Sequence, residues 1–355
     1  MKSNPVIDVD GHVTMELVPN WTRYFAPADA RFLEALVLRP PSLRFWVTDG
    51  MTDAEIYDGL RSRLKGDGGW DPEVRLRDMD TDGIDVAVLF GNEISLNQEF
   101  YSPAICQGYN NWLHDYCNTD PDRLKAIALL PLSDVEAALT EMNRAVKELG
   151  CVGVLMKPSV EEKRSDDASF FPIYAEAERL NIPVDFHISH GVRFDLQRKY
   201  GYDYIRSHAF GSPASMMLTM MDLSFGGVLE RFGQLRVAFL EGAVGWVPYW
   251  LGRLDDEYGI RPTDVPGLKK LPSEYLTEKR IYYCCEPDEQ HLAYALNVVG
   301  EDQIVWASDY PHADAIFPGA LSAFKEQAGL SERQRSKVLT DNALALMSGE
   351  RKNGG

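Results

Sequence analysis

The sequence has little positive charge, few cysteines and no long apolar run. It contains 36 Lys and Arg residues against 54 Asp and Glu residues, which gives a formal net charge of −18. A surface this acidic repels phosphate backbones, so we expect no nucleic-acid partner. No segment approaches the roughly 18 consecutive apolar residues that cross a bilayer, so we expect no membrane association.

The five cysteines are scattered and form no C-x-x-C pair. Their odd number argues against a disulfide scaffold. The N-terminal segment MKSNPVIDVDGHV lacks the apolar stretch of a secretion signal. We therefore expect a cytoplasmic protein whose thiols stay reduced.

Short apolar runs alternate with helix-like segments along most of the chain. Eight runs are rich in Val, Ile and Leu: residues 6–9, 85–90, 125–130, 152–156, 183–187, 235–240, 280–284 and 303–307. Continuously apolar runs are typical of parallel strands that are buried on both faces. Eight strands alternating with helices predict an α/β fold of the (β/α)8 TIM-barrel type. A doubly wound open sheet is the alternative, although such sheets more often stop near about six strands.

The helical periodicity and the spacing of the runs predict the remaining organisation. Helices are expected over residues 72–82, 134–149, 170–180, 213–232, 246–258, 289–299 and 331–347. Residues 13–70 are rich in aromatic residues, Pro and Gly, and they are predicted to form an insertion or lid near the barrel mouth. The alternative is a cap that only covers the rim. We expect one domain over residues 1–355, in which residues 331–355 form a C-terminal helix and tail.

Polar side chains end five of the predicted strands, at the barrel edge where catalytic groups collect. Buried charges are costly unless they are paired or bind a metal, so packing explains these positions poorly. They are Asp10 and His12 at the first strand, His187 at the fifth, Glu241 at the sixth, Glu286 at the seventh and Asp309 at the eighth.

Four of these residues form a candidate metal-ligand set of two nitrogens and two oxygens. They are Asp10, His12, His187 and Asp309. In an extended segment, the i, i+2 spacing of Asp10 and His12 places both side chains on one face. The set suits zinc, manganese or iron(II), and the two carboxylates make manganese a strong option.

Each residue taken alone has a simpler interpretation. Asp10 before a glycine could be a turn residue, and His12 a hydrogen-bonded core histidine. His187 could bond a backbone carbonyl, and Asp309 could cap the helix that follows it. Their joint placement at three strand ends favours the metal site.

Two motifs resemble a known family. DVDGH at residues 8–12 and WASDYPH at residues 306–312, together with the segments 77–85 and 248–255, are similar to the amidohydrolase-related group. That group includes aminocarboxymuconate-semialdehyde, gamma-resorcylate and 5-carboxyvanillate decarboxylases. The resemblance implies a (β/α)8 barrel with one divalent metal held by Asp10, His12, His187 and Asp309. The decarboxylases have His-x-His or Glu-x-His at the first strand, and Asp10 is a variation on the carboxylate form.

One position departs from the family pattern. After the sixth strand the decarboxylases place a histidine that handles the proton, whereas this chain has Glu241. A buried glutamate with a raised pKa could act as general base toward a metal-bound water, or it could be a further metal ligand. Its other interpretation is a salt-bridged carboxylate that supports a loop. The change favours hydrolysis over decarboxylation.

A further group of residues is assigned smaller roles. His190 is expected to orient the substrate or to share proton transfer with Glu241. Arg193 could pair with a substrate carboxylate, since arginine suits bidentate recognition. Glu286 and His312 are expected on the substrate side of the site. The alternatives are ordinary loop residues for His190 and Arg193, and a helix start for Glu286 and His312.

Together these patterns predict a metal-dependent hydrolase that attacks a small carboxylated aromatic or unsaturated compound with a metal-activated water. The alternative is a non-hydrolytic, metal-dependent decarboxylase of an aromatic or muconate-like acid. A hypothesis of another class is a barrel that has lost catalysis and serves as a binding protein. The expected partner is a small-molecule substrate. By family analogy we also expect a homo-oligomer, a dimer, with residues 246–258 or the insertion at its interface.

Overall fold

Eight parallel strands form the centre of the computed structural model, which describes residues 4–38, 51–91, 102–160, 163–188, 192, 196, 199–201 and 203–349. Each of the eight apolar runs overlaps one strand, so the strand predictions are confirmed within a few residues. The strands are β1 (Ile7–Val13), β2 (Val86–Gly91), β3 (Leu124–Ala128), β4 (Gly153–Met156), β5 (Val184–Phe186), β6 (Val237–Phe239), β7 (Ile281–Cys285) and β8 (Ile304–Trp306).

The strands pair in chain order from β1 to β8, and every pair is parallel. The last strand returns to the first, where the His12 N–H donates to the Tyr310 carbonyl at 2.8 Å. The sheet therefore curls into a nearly closed barrel. This confirms the (β/α)8 prediction and excludes the open doubly wound sheet.

β1 extends further than the apolar run predicts. The run stops at Val9, whereas the strand continues to Val13 with a register shift between Asp8 and Gly11. All seven residues of β1 are buried. Asp10 and His12 thus lie inside the strand, because backbone pairing with β2 continues although the side-chain pattern turns polar.

Helices surround the barrel, and their inner faces form one continuous apolar core with the strands. They are α1 (Pro27–Leu38), α2 (Asp53–Arg61), α3 (Pro72–Asp82), α4 (Pro103–Cys117), α5 (Val135–Glu148), α6 (Phe171–Leu180), α7 (Tyr204–Phe225), α8 (Val228–Arg231), α9 (Val247–Ile260), α10 (Pro272–Leu276), α11 (Leu292–Val299), α12 (Ala320–Glu326), α13 (Glu332–Ser336) and α14 (Asn342–Ser348). Short 3-10 helices occur at Met15–Leu17, Trp21–Tyr24, Asp67–Gly69, Ala168–Phe170 and Pro262–Asp264, and a π-helix at Lys337–Asp341. Ser159–Val160 and Lys163–Arg164 pair as a small antiparallel hairpin.

The helix predicted over residues 72–82 is confirmed as α3, which is capped at both ends. The Asp71 side chain accepts hydrogen bonds from the backbone N–H groups of Glu73 at 2.9 Å and Val74 at 3.2 Å. Pro72 occupies the first turn, where its missing N–H is not needed. Gly83, with φ of +81°, ends the helix in the left-handed region.

The helix predicted over residues 213–232 is wrong at its start and is divided in two. The predicted range began at Pro213 because the residues that follow it have apolar positions at helical spacing. In the structure α7 begins at Tyr204, where the Asp203 side chain accepts from the Arg206 N–H at 3.0 Å, and Pro213 lies inside the helix. Gly227, with φ of +71°, separates α7 from α8.

The described part of the predicted insertion packs onto the barrel mouth. The Thr14 N–H donates to the Gly69 carbonyl at 2.6 Å, and the Lys65 N–H donates to the Pro311 carbonyl at 2.7 Å. Leu17 and Leu60, which both belong to this segment, form a small apolar cluster separate from the main core. Residues 39–50 lie outside the described residues. The segment covers the end of β1 and the loop after β8, and a function as a lid stays a prediction.

Within the part of the chain that the structure describes, no helix is both long and apolar enough to cross a membrane. The five cysteines are free and buried. Burial raises the pKa of Cys106 and Cys117 above the ordinary thiol value, which disfavours the reactive thiolate. The cysteines are therefore buried, protonated thiols.

Asp222 on α7 and the nearby Asp166 form an acidic pair that makes the stability of the fold depend on pH. Burial, and then the charge of Asp166, raise the pKa of Asp222 from 3.8 to about 6, although Arg164 opposes the shift. The folded protein therefore binds this proton more tightly than the unfolded chain, and the fold loses stability as pH rises from 3.8 to about 6.

We expect Asp222→Asn to have a higher melting temperature than the unmodified protein at pH 7.5. The difference should shrink as the pH falls toward 5, because Asp222 then becomes neutral in the folded protein. Thermal denaturation of both proteins at the two pH values measures it. A melting temperature at pH 7.5 that is unchanged or lower in Asp222→Asn would show that the ionised pair does not destabilise the fold.

Candidate metal centre

The polar residues predicted at the strand ends come together at one mouth of the barrel. Asp10 and His12 lie on β1, and His187 directly follows β5. Glu241 lies two residues after β6, and Asp309 three residues after β8. The parallel barrel brings these distant positions together because the carboxyl ends of all its strands lie on the same side.

Asp10, His12 and His187 form a first set whose ligand atoms lie within 4.8 Å of one another. The Asp10 Oδ1 atom lies 3.3 Å from His12 Nε2 and 3.7 Å from His187 Nε2. All three residues are buried. Two imidazole nitrogens and a carboxylate oxygen around one buried point are typical of a zinc, manganese or iron site.

His12 also belongs to a second set, with Glu241, Asp309 and His312. The His12 Nε2 atom lies 3.1 Å from Asp309 Oδ1 and 4.0 Å from Glu241 Oε2. Glu241 Oε2 in turn lies 2.6 Å from His187 Nε2, so this carboxylate links the two sets. All four predicted ligands thus lie in one cluster, and Glu241 lies among them.

His312 lies against the ligand cluster. Its Nδ1 atom is 2.8 Å from Asp309 Oδ1, and its ring stacks on the ring of His12 with centroids 4.1 Å apart. This position lets His312 orient the Asp309 carboxylate. The predicted contact of His312 with substrate stays a prediction.

The chemistry of the cluster fits one divalent cation. Among the described residues, His12 Nε2, His187 Nε2 and Asp10 Oδ1 are buried and make no hydrogen bond of good geometry, although His187 Nε2 lies 2.6 Å from Glu241 Oε2. Buried polar atoms are normally satisfied, so three such atoms aimed at one point indicate a missing shared partner. Ligands at about 2.1 Å from a metal lie roughly 3–4 Å from each other, and the observed separations of 3.1, 3.3 and 3.7 Å agree. The residues can therefore hold one metal ion, as predicted.

The charges of the cluster also favour a cation. Burial opposes a charge on His12, but Asp10 and Asp309 outweigh it and hold the pKa of the imidazole well above its ordinary value. Burial likewise opposes a charge on Glu241, yet His187 is the main cause that holds the pKa of this carboxyl well below its ordinary value. The carboxylates of Glu241 and Asp309, both with a lowered pKa, are thus in the charged form. They attract positive charge, which a metal ion supplies better than protons on the histidines.

Backbone strain marks the two loops that carry Glu241 and Asp309. Glu241, Ala243 and Asp309 have φ values of +51°, +55° and +57°, in the left-handed region that costs energy for residues other than glycine. The Glu289 carboxylate holds the first loop by accepting from the N–H groups of Val244 at 2.7 Å and of Gly245. Glu289 was not predicted, because its partners lie more than forty positions away and no local pattern points to them.

Asp8 is a second residue that the sequence analysis missed. Its carboxylate accepts from the Ser308 N–H at 3.0 Å, the Ser308 hydroxyl at 2.5 Å and the Asp10 N–H at 3.3 Å. Asp8 therefore ties β1 to the residue before Asp309. The alternation Asp-x-Asp-x-His was the available signal, since it places Asp8, Asp10 and His12 on one face of an extended strand.

A cavity of about 350 Å³ opens beside the ligand cluster. Its walls carry six carboxylates, and among the described lining residues there is no Lys or Arg. The carboxylates belong to Asp10, Glu241, Glu286, Asp288, Asp309 and Asp314. His208 of α7 also lines the cavity, with its Nε2 atom 3.7 Å from Asp314 Oδ2.

Glu286 lines the cavity, and its predicted contact with substrate stays a prediction. Burial, and then the charges of Glu289 and Asp309, raise the pKa of Glu286 to about 7. It can therefore exchange a proton near neutral pH. His190 and Arg193 lie outside the described residues, so their expected roles stay predictions.

Several known proteins with similar sequences are decarboxylases, and another is a hydratase. The chain is 28% identical over 299 residues to 2-amino-3-carboxymuconate-6-semialdehyde decarboxylase of Dictyostelium discoideum, which covers 82% of this chain and 80% of that protein. It is 25% identical over 320 residues to gamma-resorcylate decarboxylase of Rhodococcus jostii, which covers 85% of this chain and 94% of that protein.

The fold is similar to that of a solved dihydroxybenzoic acid decarboxylase from Polaromonas sp., described with bound manganese and the inhibitor 2-nitroresorcinol. The TM-score is 0.72 at 22% identity, covering 98% of each chain. These matches confirm the resemblance to the amidohydrolase-related group. They also confirm the expectation of a metal-dependent enzyme, either a hydrolase or a decarboxylase. A family model described as Amidohydrolase matches residues 7–347, and the chain therefore belongs to the amidohydrolase family.

Proposed function

We propose that the protein is a metal-dependent decarboxylase of a small aromatic or unsaturated carboxylic acid. The observation that carries the proposal is the cluster of Asp10, His12, His187 and Asp309 beside a small cavity. The relatives named above are decarboxylases. The hydrolysis that the sequence analysis put first, on the basis of Glu241, is not supported by these relatives and is replaced by its alternative.

The proposed metal is manganese, with zinc or iron(II) as substitutes that the same ligands accept. Two imidazoles with two carboxylates make a harder site than three histidines, and the Polaromonas enzyme is described with manganese. When bound, such a cation would polarise substrate oxygens and hold the substrate carboxylate. Asp10, His12, His187 and Asp309 would hold it.

Decarboxylation replaces a carbon–carbon bond with a carbon–hydrogen bond. The bond to the carboxylate breaks, carbon dioxide leaves, and the electron pair stays on the substrate carbon, which then takes a proton. Glu241 lies in the ligand cluster, and Glu286 lines the same cavity with its pKa raised to about 7. We assign Glu286 as the source of the proton. Glu241 is ionised, and we assign it the role of receiving this proton and passing it to the substrate carbon.

The negative charge of the cavity walls favours a substrate with a single carboxylate. A second negative charge would lie against acidic side chains, with no Lys or Arg among the described lining residues to offset it. A phenolic monocarboxylate meets this condition better than a muconate-like diacid does. Arg193 is the expected partner for a substrate carboxylate and lies outside the described residues.

We also propose a homodimer in a reducing, cytoplasmic setting. Phe210 and Leu218 on α7 and Tyr249 on α9 are exposed apolar side chains, and the Trp250 indole donates to the Met217 carbonyl between the two helices at 3.0 Å. This face supports a contact with a second copy. The five cysteines are free and buried, which supports the proposal of a reducing compartment.

Product analysis in labelled water tests the reaction type. The manganese-loaded protein is incubated with 2,6-dihydroxybenzoate and with other phenolic monocarboxylates, in D2O and in ¹⁸O-labelled water. We expect carbon dioxide, a product with one solvent-derived deuterium on the former carboxylate carbon, and no ¹⁸O in that product. Incorporation of ¹⁸O without release of carbon dioxide would contradict decarboxylation and restore the hydrolase hypothesis.

A further inference from the structure

Arg75 is a fully buried arginine that lies next to the metal centre but outside the cavity. It lies on α3 with 1% of its surface exposed, and it is not among the residues that line the cavity. A buried guanidinium is costly unless its charge and N–H groups have partners. Its partners therefore indicate what it does.

The guanidinium connects two ligand-bearing segments. Its Nη1 atom donates to the His12 carbonyl and to the Tyr310 carbonyl, each at 3.2 Å. Its central carbon lies 4.8 Å from the centre of the Tyr310 ring. His12 is a proposed ligand, and Tyr310 directly follows the ligand Asp309, so one side chain touches both segments.

Few bonds define the distance between these segments. β1 and β8 form no ladder with each other among the described strands. They meet through the His12 N–H, which donates to the Tyr310 carbonyl, and through Asp8, which accepts from Ser308. Arg75 adds two charge-assisted hydrogen bonds at this seam, and such bonds are stronger than neutral ones.

Gly11, which lies between Asp10 and His12, leaves the space that the Arg75 guanidinium occupies. A Cβ atom on Gly11 would lie 2.2 Å from Arg75 Nη2 and 3.2 Å from a Leu89 methyl group. Any side chain at residue 11 would therefore push the guanidinium away from the two carbonyls. The absence of a side chain between Asp10 and His12 lets Arg75 approach.

We propose that Arg75 is a positioning residue that fixes the separation between the β1 ligands and Asp309, and so sets the affinity of the metal centre. It acts through the His12 and Tyr310 carbonyls and does not touch the metal or the substrate. The inference rests on the metal site of the proposed function, but it does not depend on which reaction the site catalyses.

The test measures Mn²⁺ binding rather than activity. Arg75→Met and Arg75→Lys are compared with Arg77→Met, a matched control that removes an exposed arginine from the same helix. Isothermal titration of EDTA-treated protein with Mn²⁺ gives the affinity, and circular dichroism and melting curves of the metal-free proteins report on the fold. We expect Arg75→Met to weaken Mn²⁺ binding by about 10-fold or more, Arg75→Lys to recover part of the loss, and Arg77→Met to bind as the unmodified protein does.

Gly11→Ala provides a second, independent variant. It should weaken Mn²⁺ binding in the unmodified protein by displacing the guanidinium, and it should have a smaller effect in the Arg75→Met background, where no guanidinium is present. Equal effects in both backgrounds would overturn the proposal. If Arg75→Met does not fold, Gly11→Ala and Arg75→Lys are compared with the unmodified protein. Weaker Mn²⁺ binding in both variants supports the proposal, and unchanged binding in both overturns it.

The outcomes separate this inference from the proposed function. A folded Arg75→Met protein with unchanged Mn²⁺ affinity overturns the positioning role and leaves the decarboxylase proposal intact. Weakened Mn²⁺ binding in Arg75→Met, together with no decarboxylation by the unmodified manganese-loaded protein, supports the positioning role and contradicts the reaction. If the unmodified protein bound no Mn²⁺, the metal site and this inference would both be wrong.

Discussion

His187→Ala is expected to abolish turnover and to lower the manganese content of the purified protein, with little loss of fold. His187 Nε2 is buried and lies 3.7 Å from Asp10 Oδ1 and 2.6 Å from Glu241 Oε2. Loss of a partner that only orients a ligand costs about 10-fold to 100-fold in metal affinity or activity, and loss of a ligand should exceed this range. Metal analysis, steady-state kinetics and circular dichroism measure the three effects.

The matched control is His114→Ala. His114 lies on α4, outside both ligand sets, and its Nδ1 atom bonds the Leu149 carbonyl at 3.0 Å. This variant should keep its metal and its turnover. Full metal content and full turnover in His187→Ala would show that His187 is not a ligand.

Glu241→Gln is expected to lower kcat by about 100-fold or more, the range for loss of a general acid or base, while the protein still binds Mn²⁺. The substitution keeps the shape of the side chain and removes both its charge and its ability to carry a proton. Asp10, His12, His187 and Asp309 remain available to the metal. Kinetics and Mn²⁺ titration on the same preparation separate proton transfer from metal binding.

Glu286→Gln is the companion variant for this prediction. If Glu286 supplies the proton, its loss should reduce kcat most at and below neutral pH, where the unmodified side chain still carries its proton, and least at higher pH, where Glu286 is already ionised. A Glu241→Gln protein that keeps its kcat within about 2-fold would contradict a role in proton transfer. One that loses Mn²⁺ binding together with kcat would identify Glu241 as a metal ligand instead.

The barrel could be predicted because its strands have a local signature. Continuous apolar runs such as residues 152–156 and 303–307 identify strands that are buried on both faces. The start of α7 was missed because proline is normally unfavourable inside a helix, whereas Pro213 lies inside α7. The extent of β1 was missed because its polar ligands interrupt the apolar pattern while backbone pairing continues.

The candidate site also contains residues that the sequence predicts and residues that it does not. The ligands were predicted because acids and imidazoles at strand ends are chemically conspicuous, and a parallel barrel brings those ends together. Arg75 and Glu289 could not be predicted, because their roles depend on contacts with residues 235 and 45 positions away. Such contacts form only when the barrel closes, and no periodic pattern in the sequence indicates them.

Anomalous diffraction from a manganese-soaked crystal tests the central claim most directly. The account predicts one manganese peak surrounded by Asp10, His12, His187 and Asp309, at the roughly 2.0–2.2 Å that nitrogen and oxygen ligands keep from such a cation. An absent peak, or one that lies away from these four side chains, would contradict the metal centre and with it the proposed enzyme.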